Sequence, residues 1–373
     1  MVEWKKLGEV CSFKRGRTIT AKDAVDGNVP VIAGGQTPSY YHNEPNRTGE
    51  TITVAGSGAY AGFISYWNQP IFISDAFSVD PQSCLKHKFL FHWLKMNQSK
   101  VFGTQKGAGV PHVHGSDIAN FIIPLPSIIE QQHIVDILDT FTSSIDNLKL
   151  QIAQRRKQFN WLLDKFYFAD KYELLDTAPK EGVEIKSFDE IGTFTRGRRF
   201  VRTDIVEGGV PCIHYGDMYT YYGVSAKETP THLTKEKAEK LRFASKGDVV
   251  IVGAGENDID IGVGVAWLGK EDVVVHDACF IFKHNMDPKY ISYFTRSMNY
   301  HLQIRMGVVD GKICSISAKE LGRTLIPVCT REEQTRIVSS LDTVESSIQN
   351  LEAQLSQREK QYEYYRNKLL TFE

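Results

Sequence analysis

Proline pairs, C-x-x-C motifs and long apolar runs are all missing from this chain of 373 residues. Without an uninterrupted apolar run of about 20 residues, the sequence offers no membrane-spanning helix. The opening MVEWKKLGEV holds no apolar segment of signal-peptide length, so a cytoplasmic protein is expected. Cysteines are few and scattered. Cys11, Cys84, Cys212, Cys279, Cys314 and Cys329 lie far apart, which argues for reduced thiols used in packing and against a zinc ribbon. Excess charge is missing too. With 44 Lys+Arg against 45 Asp+Glu the net charge is −1, so any nucleic-acid binding must come from local patches. The 42% apolar content suffices for the cores of two ordinary domains.

Catalytic signatures are scarce as well. The string nearest to a phosphate-binding loop, Gly307 to Ile313, has the wrong glycine spacing and no hydroxyl after Lys312. The glycine-dense run Val54 to Gly62 is followed by strand-like FISYW where a dinucleotide fold needs a helix. An amino-methyltransferase would carry a Pro-Pro loop, and the chain has none. His112 and His114, two apart, do not make a metal site by themselves. Asp75 and Asp277 sit in similar contexts, SDAF and HDACF, and are read as turn or hydrogen-bonding residues, since one carboxylate per copy is no acid/base pair.

What the chain does have is an internal repeat. Residues 7–32 match 188–213 at an offset of 181, with 11 identities in 26 positions. Residues 134–166 match 337–369 at an offset of 203, with 16 identities in 33. The chain is therefore a tandem duplication, with 22 extra residues inside the second copy. Each copy opens with short strand-like runs broken by Gly, Pro and Asn, a mostly β domain. Each closes with one long helix. Apolar residues advance in steps of 4 and 3 along Ile134, Leu138, Phe141, Ile145, Leu148, Ile152, Arg155 and Phe159, and again along Ile337, Leu341, Val344, Ile348, Leu351, Leu355, Arg358 and Tyr362. That is the heptad seam of a coiled coil. The two stripes are most economically buried against each other, antiparallel, unless each packs on its own β domain. Arg155 and Arg358 occupy the same seam step, where they either fix register or snorkel to the edge.

The candidate binding residues are basic and flank glycines: Lys14, Arg15 and Arg17 in FKRGR, and Arg196, Arg198 and Arg199 in FTRGRRF. Arginine near a tight turn suits phosphate, and its fork also fits the O6/N7 edge of guanine; the alternative is an exposed basic turn. Residues 1–127 carry a charge balance of +3 and residues 171–329 one of −1, so local bookkeeping favours DNA only for the first. Further candidates sit on glycine-rich loops: Ser57, Tyr60, Lys106 and His112 in the first copy, Tyr215, Asn257 and Lys312 in the second.

Two segments carry a family resemblance. WKKLGEVCSFKRGR and its counterpart FDEIGTFTRGRR open the copies; IPLPSIIEQQHIVDILD (Ile123 to Asp139) and IPVCTREEQTRIVSSLD (Ile326 to Asp342) join each β domain to its helix. Over its whole length the chain resembles the DNA specificity subunits of type I restriction-modification systems. Pro124, Pro126, Glu130, Gln131 and Ile134 fit the family junction, as do Pro327, Glu333, Gln334 and Ile337, whereas Cys329 replaces its second proline.

The fold expected is α+β, with two mostly β target recognition domains, 1–127 and 171–329, and two conserved spacer helices, 128–170 and 330–373, forming an antiparallel coiled coil with pseudo-two-fold symmetry. The resemblance implies a non-catalytic, DNA-binding subunit that reads an asymmetric bipartite target in double-stranded DNA. It implies two methyltransferase subunits using S-adenosylmethionine and two restriction subunits using ATP and magnesium as partners, with no cofactor or metal in this chain. A 33-residue helix is about 50 Å long, so a rod of that kind would set the gap between half-sites. A two-headed regulator or architectural DNA-binding protein outside restriction shares the same physical features.

Overall fold

The structure, a computed structural model, describes residues 2–167, 182–256, 260–309 and 311–372. The chain divides into two compact units: Met1–Leu150 with Glu352–Glu373 (unit 1), and Gln151–Leu351 (unit 2). Two long helices, α1 (Ile128–Tyr167) and α2 (Arg331–Thr371), contribute to both. Their starts are set locally. Ser127 Oγ accepts from the Glu130 N–H at 3.2 Å, and Thr330 Oγ1 accepts from the Glu333 N–H at 3.3 Å. Each hydroxyl thus satisfies a donor that the first helical turn leaves free. The helices begin 203 positions apart, the offset of the sequence match.

In unit 1, strand Glu3–Lys6 pairs antiparallel with Ile122–Leu125, closing the β region on itself. Between them runs a four-stranded antiparallel sheet in the order Cys11–Arg15, Ala76–Pro81, Glu50–Ala55, Ile64–Asn68, beside a three-stranded sheet of Tyr40–His42, Val29–Ile32 and Phe72–Ile73. The helix His87–Met96 covers the larger sheet. It places Phe89, Leu90 and Leu94 in one core with Ile52, Val54 and Val79, joined by Ile134 and Leu138 of α1 and Leu370 of α2. Burying each of these contributes about 1.5–3 kcal/mol.

Unit 2 repeats this plan in the same register. Glu3 faces Leu125, and its repeat partner Glu184 faces Val328 in the ribbon of Glu184–Ser187 with Leu325–Val328. The larger sheet runs Gly192–Arg196, Cys279–His284, Val249–Val252, Gly264–Trp267, Ser225–Ala226. A second sheet runs Ile205–Val206, Thr231–Leu233, Val210–Ile213, Val273–Val275, Phe243–Ala244. The additional short strands Ser225–Ala226, Ile205–Val206 and Phe243–Ala244 sit at sheet edges, so the enlarged second copy keeps the order of the shared strands.

Within each unit the two helices run antiparallel. In unit 1, Phe141 of α1 stacks on Tyr365 of α2 with ring centroids 5.3 Å apart, and Lys149, further along α1, pairs with the earlier Glu359 at 3.3 Å. In unit 2, Phe166 at the end of α1 lies under Arg336 at the start of α2. The heptad positions Ile134, Leu138, Ile145, Leu148, Ile152, Ile337, Leu341 and Val344 are buried, and Phe141, Phe159, Ile348, Leu351, Leu355 and Tyr362 are half-buried. Arg155 departs from this pattern: it is exposed and donates to Gln158 on its own helix. Its counterpart Arg358 lies 5.7 Å over the Phe141 ring. The stripe serves two surfaces, because Ile134 and Leu138 also pack in the β core of unit 1, and Ile337 and Leu341 in that of unit 2.

Two polar fastenings tie each β region to its helix. Gln131 is fully buried; its Oε1 accepts from Lys86 N at 2.9 Å and its Nε2 donates to Cys84 O and Pro126 O at 3.0 Å. Gln334 does the same with Asp287 N and Cys329 O, so the carbonyl of Cys329 serves where Pro126 does in the first copy. Two turns later, Asp139 holds Lys88 and the buried His92, and Asp342 holds Lys289 and Tyr293. Among the described residues no helix is long and apolar enough to cross a membrane.

Candidate nucleic-acid interface

The strand that ends in the basic string lies at one edge of each larger sheet. Arg15 pairs across it with Phe77, and Arg196 with Phe280. The chain then turns tightly over the smaller sheet. Gly16 N donates to Ala76 O and Arg17 N to Ile73 O; Gly197 N donates to Cys279 O and Arg198 N to Val275 O. A Cβ on Gly16 would meet Ser74 O at 2.3 Å, and one on Gly197 would meet His276 O at 2.2 Å. The central glycine of R-G-R is therefore required by close backbone approach. Gly197→Ala is expected to destabilise unit 2 by about 2–3 kcal/mol, because two fixed carbonyls must yield to one methyl. Denaturant melts would check this, and an unchanged midpoint would remove the packing role.

The same groove opens beside this turn in both units. In unit 1 it holds about 200 Å³ between Arg15, Gly56, Asp75 and Phe77; in unit 2, about 670 Å³ between Arg196, Gly253, Asp277 and Phe280. Its far wall is one strand-like segment, held identically twice: Val113 N donates to Gly56 O at 3.0 Å, and Ile316 N donates to Gly253 O at 2.9 Å. A loop of equal length leads into that segment and is pinned by a reciprocal pair of backbone bonds. Lys106 and His112 exchange them at 3.0 and 2.8 Å, Val309 and Ser315 at 2.8 and 3.1 Å. The buried Val113 and Ile316 alternate with outward neighbours, His112 and His114 in unit 1, Ser315 and Ser317 in unit 2.

Electrostatics differ between the two. In unit 1 the Asp75 carboxylate accepts from Ser57 Oγ, and Lys106 pairs with Asp117, whose carboxyl that hydrogen bond holds below its usual range. The rings of His112 and His114 stack 6.4 Å apart. In unit 2, His276 stands beside Asp277, its Nδ1 accepting from Ala278 N and its Nε2 donating to Phe200 O. Burial pushes the His276 imidazole below its ordinary value, against the pull of Asp277. Burial likewise lowers His214, and with Tyr215 and Phe200 these rings form an aromatic cluster behind the groove. Arg196 Nε donates to Asp277 O at 2.7 Å.

A family model described as the type I restriction modification DNA specificity domain matches residues 1–155 and 180–359. The chain belongs to that family. As a type I specificity subunit it is a non-catalytic, DNA-recognising component. It is 27% identical to the specificity subunit of the type I restriction enzyme EcoR124I/EcoR124II of Escherichia coli over 402 residues, covering 100% of this chain and 94% of that one. With the MjaVIII specificity subunit of Methanocaldococcus jannaschii it shares 24% identity, over 86% of this chain and 78% of the relative. The S subunit of the type I system of M. genitalium has the same fold, with a TM-score of 0.66 at 16% identity, covering 100% and 97% of the two chains.

In this specificity subunit, the residues expected to bind fall into three groups. Arg15 lines the unit 1 groove, Ser57 bonds Asp75 in its lining, Lys106 and His112 pair beside the same wall segment, and Arg196 lines the groove of unit 2. Other residues are exposed but engaged elsewhere: Lys14 pairs with Asp80 at 3.0 Å, Arg17 lies over the Phe72 ring, and Arg198 donates to Lys240 O. Tyr60, Arg199 and Lys312 project from exposed loop positions, Tyr215 belongs to the aromatic cluster, and Asn257 lies outside the described residues. Sequence reading passed over Asp75, Asp277, His114, Ser315 and Ser317 as site residues. It also passed over Arg47 and Arg242, which donate to the carbonyls of Arg15 and Arg196 from unrelated positions. The shared SDAF and HDACF contexts were the one available signal.

Proposed function

We propose that this specificity subunit reads an asymmetric bipartite target in double-stranded DNA, one half with residues 1–127 and the other with 171–329, while the helices within 128–170 and 330–373 join the two. The observation that carries this reading is the groove built twice on one backbone frame, with an arginine at the same sheet pairing and different side chains on the far wall. A shared frame suits the phosphate backbone, which is the same everywhere; a divergent wall suits base edges, which are not. Because the whole chain has a net charge of −1, affinity rests on these local cations and on partners.

The partners are two methyltransferase subunits using S-adenosylmethionine and two restriction subunits using ATP and magnesium, in the cytoplasm, with no cofactor held by this chain. Support comes from the relative named as the specificity subunit of a restriction enzyme, and from a similar fold, with a TM-score of 0.57, in a structure titled for complex assembly of the type I R-M system. Mapping of methylated adenines in cells expressing this chain with its methyltransferase should give two unlike half-sites separated by a fixed unread gap. A contiguous or palindromic motif would overturn the reading.

A further inference from the structure

We infer that the base readers of this specificity subunit are the outward pairs on the groove wall and the residue opposite them: His112, His114 and Lys106 for one half-site, Ser315, Ser317 and Val309 for the other. This rests on the proposed reading of DNA and assigns it to particular side chains.

The argument comes from comparing the two copies as a natural substitution experiment. Everything that fixes the frame is kept: the Arg15–Phe77 and Arg196–Phe280 pairings, the glycine turns, Asp75 and Asp277, the bonds from Val113 to Gly56 and from Ile316 to Gly253, and the reciprocal bonds pinning the loops. The wall strand alternates, so its buried residues, Val113 and Ile316, stay apolar while its outward residues are free to change without disturbing the core. They have changed completely in character. In unit 1 the wall carries two stacked imidazoles, of which His114 lines the groove, and beside them the Lys106 ammonium, paired with Asp117; unit 2 lines its groove with Val309, Ser315 and Ser317, whose hydroxyl also accepts from Glu320 N. A position facing phosphate would be expected to retain one chemistry in both copies, since both backbones are alike; a position facing bases has reason to diverge. The donor-rich unit 1 wall suits acceptor-bearing purine edges, guanine O6/N7 above all. Small hydroxyls accept and donate alike and leave room in the larger unit 2 groove.

The experiment uses the complex of this chain with its methyltransferase subunits and selects bound duplexes from a randomised library. In H112S/H114S the preferred bases of one half-site are expected to change or relax by about tenfold or more, the other half-site and the gap staying as in the wild type. The reverse variant, S315H/S317H, should alter only the other half-site, and it keeps the test open if the first variant folds poorly. K106V adds to the first change. The inference is overturned if these variants weaken binding to all sequences equally with both half-sites retained, or if one pair of substitutions alters both half-sites. Failure of the underlying reading looks different, because the wild-type complex itself then selects no sequence.

Discussion

Replacing Arg15 and Arg196 together with alanine is expected to lower the affinity of the assembled complex for DNA about 10- to 100-fold, with half-site preference unchanged. It should also reduce the slope of log affinity against log salt by about 2, since each phosphate contact contributes about 0.9 to that slope. The expectation follows from where these side chains stand. Arg15 is exposed beside the groove, and among the described residues no hydrogen bond or ion pair holds its guanidinium. Arg196 commits only Nε, to Asp277 O, leaving the rest of its fork available. Arg47 and Arg242, bonded to the carbonyls behind them, hold the backbone from which both project. Titration of one duplex at several salt concentrations measures both quantities. An unaltered slope would remove these arginines from the phosphate contacts, and a changed base preference would place them on bases instead.

The second large effect is on stability. Gln131→Leu keeps the side-chain volume but strands the N–H of Lys86 and the carbonyls of Cys84 and Pro126, the last of these fully enclosed. Each unsatisfied buried group costs about 1–3 kcal/mol, and these sites are partly open, so about 2–4 kcal/mol is expected for the variant. That is a large fraction of the about 5–15 kcal/mol that holds a domain. Gln334→Leu should act alike on unit 2 through Asp287 N and Cys329 O. Denaturant midpoints at constant slope would measure it. Gln131→Glu keeps an acceptor for Lys86 but buries a carboxylate against the carbonyls of Cys84 and Pro126, so it should lose at least as much at neutral pH. A Gln131→Glu variant as stable as the wild type would show that the amide donor does not matter. The glutamine of the family junction is thus a structural clamp between β region and helix in each unit.

Parts of this architecture were legible along the chain because their causes are local. The duplication shows as matched strings, and the helices announce themselves by heptad steps from Ile134 and from Ile337. The basic string with its central glycine also stood out. Yet the reason for Gly16 and Gly197 is a carbonyl some 60 to 80 positions away, which no local pattern carries. Arg155 and Arg358 make the limit plain. They share a seam step and repeat context, yet one points to water and bonds Gln158 while the other covers Phe141. The difference depends on what the opposite helix offers at that level, and the two copies do not present the same neighbour.

The sequence by itself determined that there are two copies, each a strand-rich region followed by a long amphipathic helix, because periodicity and repetition are properties read along the chain. Tertiary structure alone decided the groove. Arg15, Gly56, Asp75 and Val113 meet only when three strands take their register and the segment carrying Val113 bonds to Gly56, and that register is fixed by burial of the sheet faces and pairing of backbone groups rather than by anything the four residues have in common.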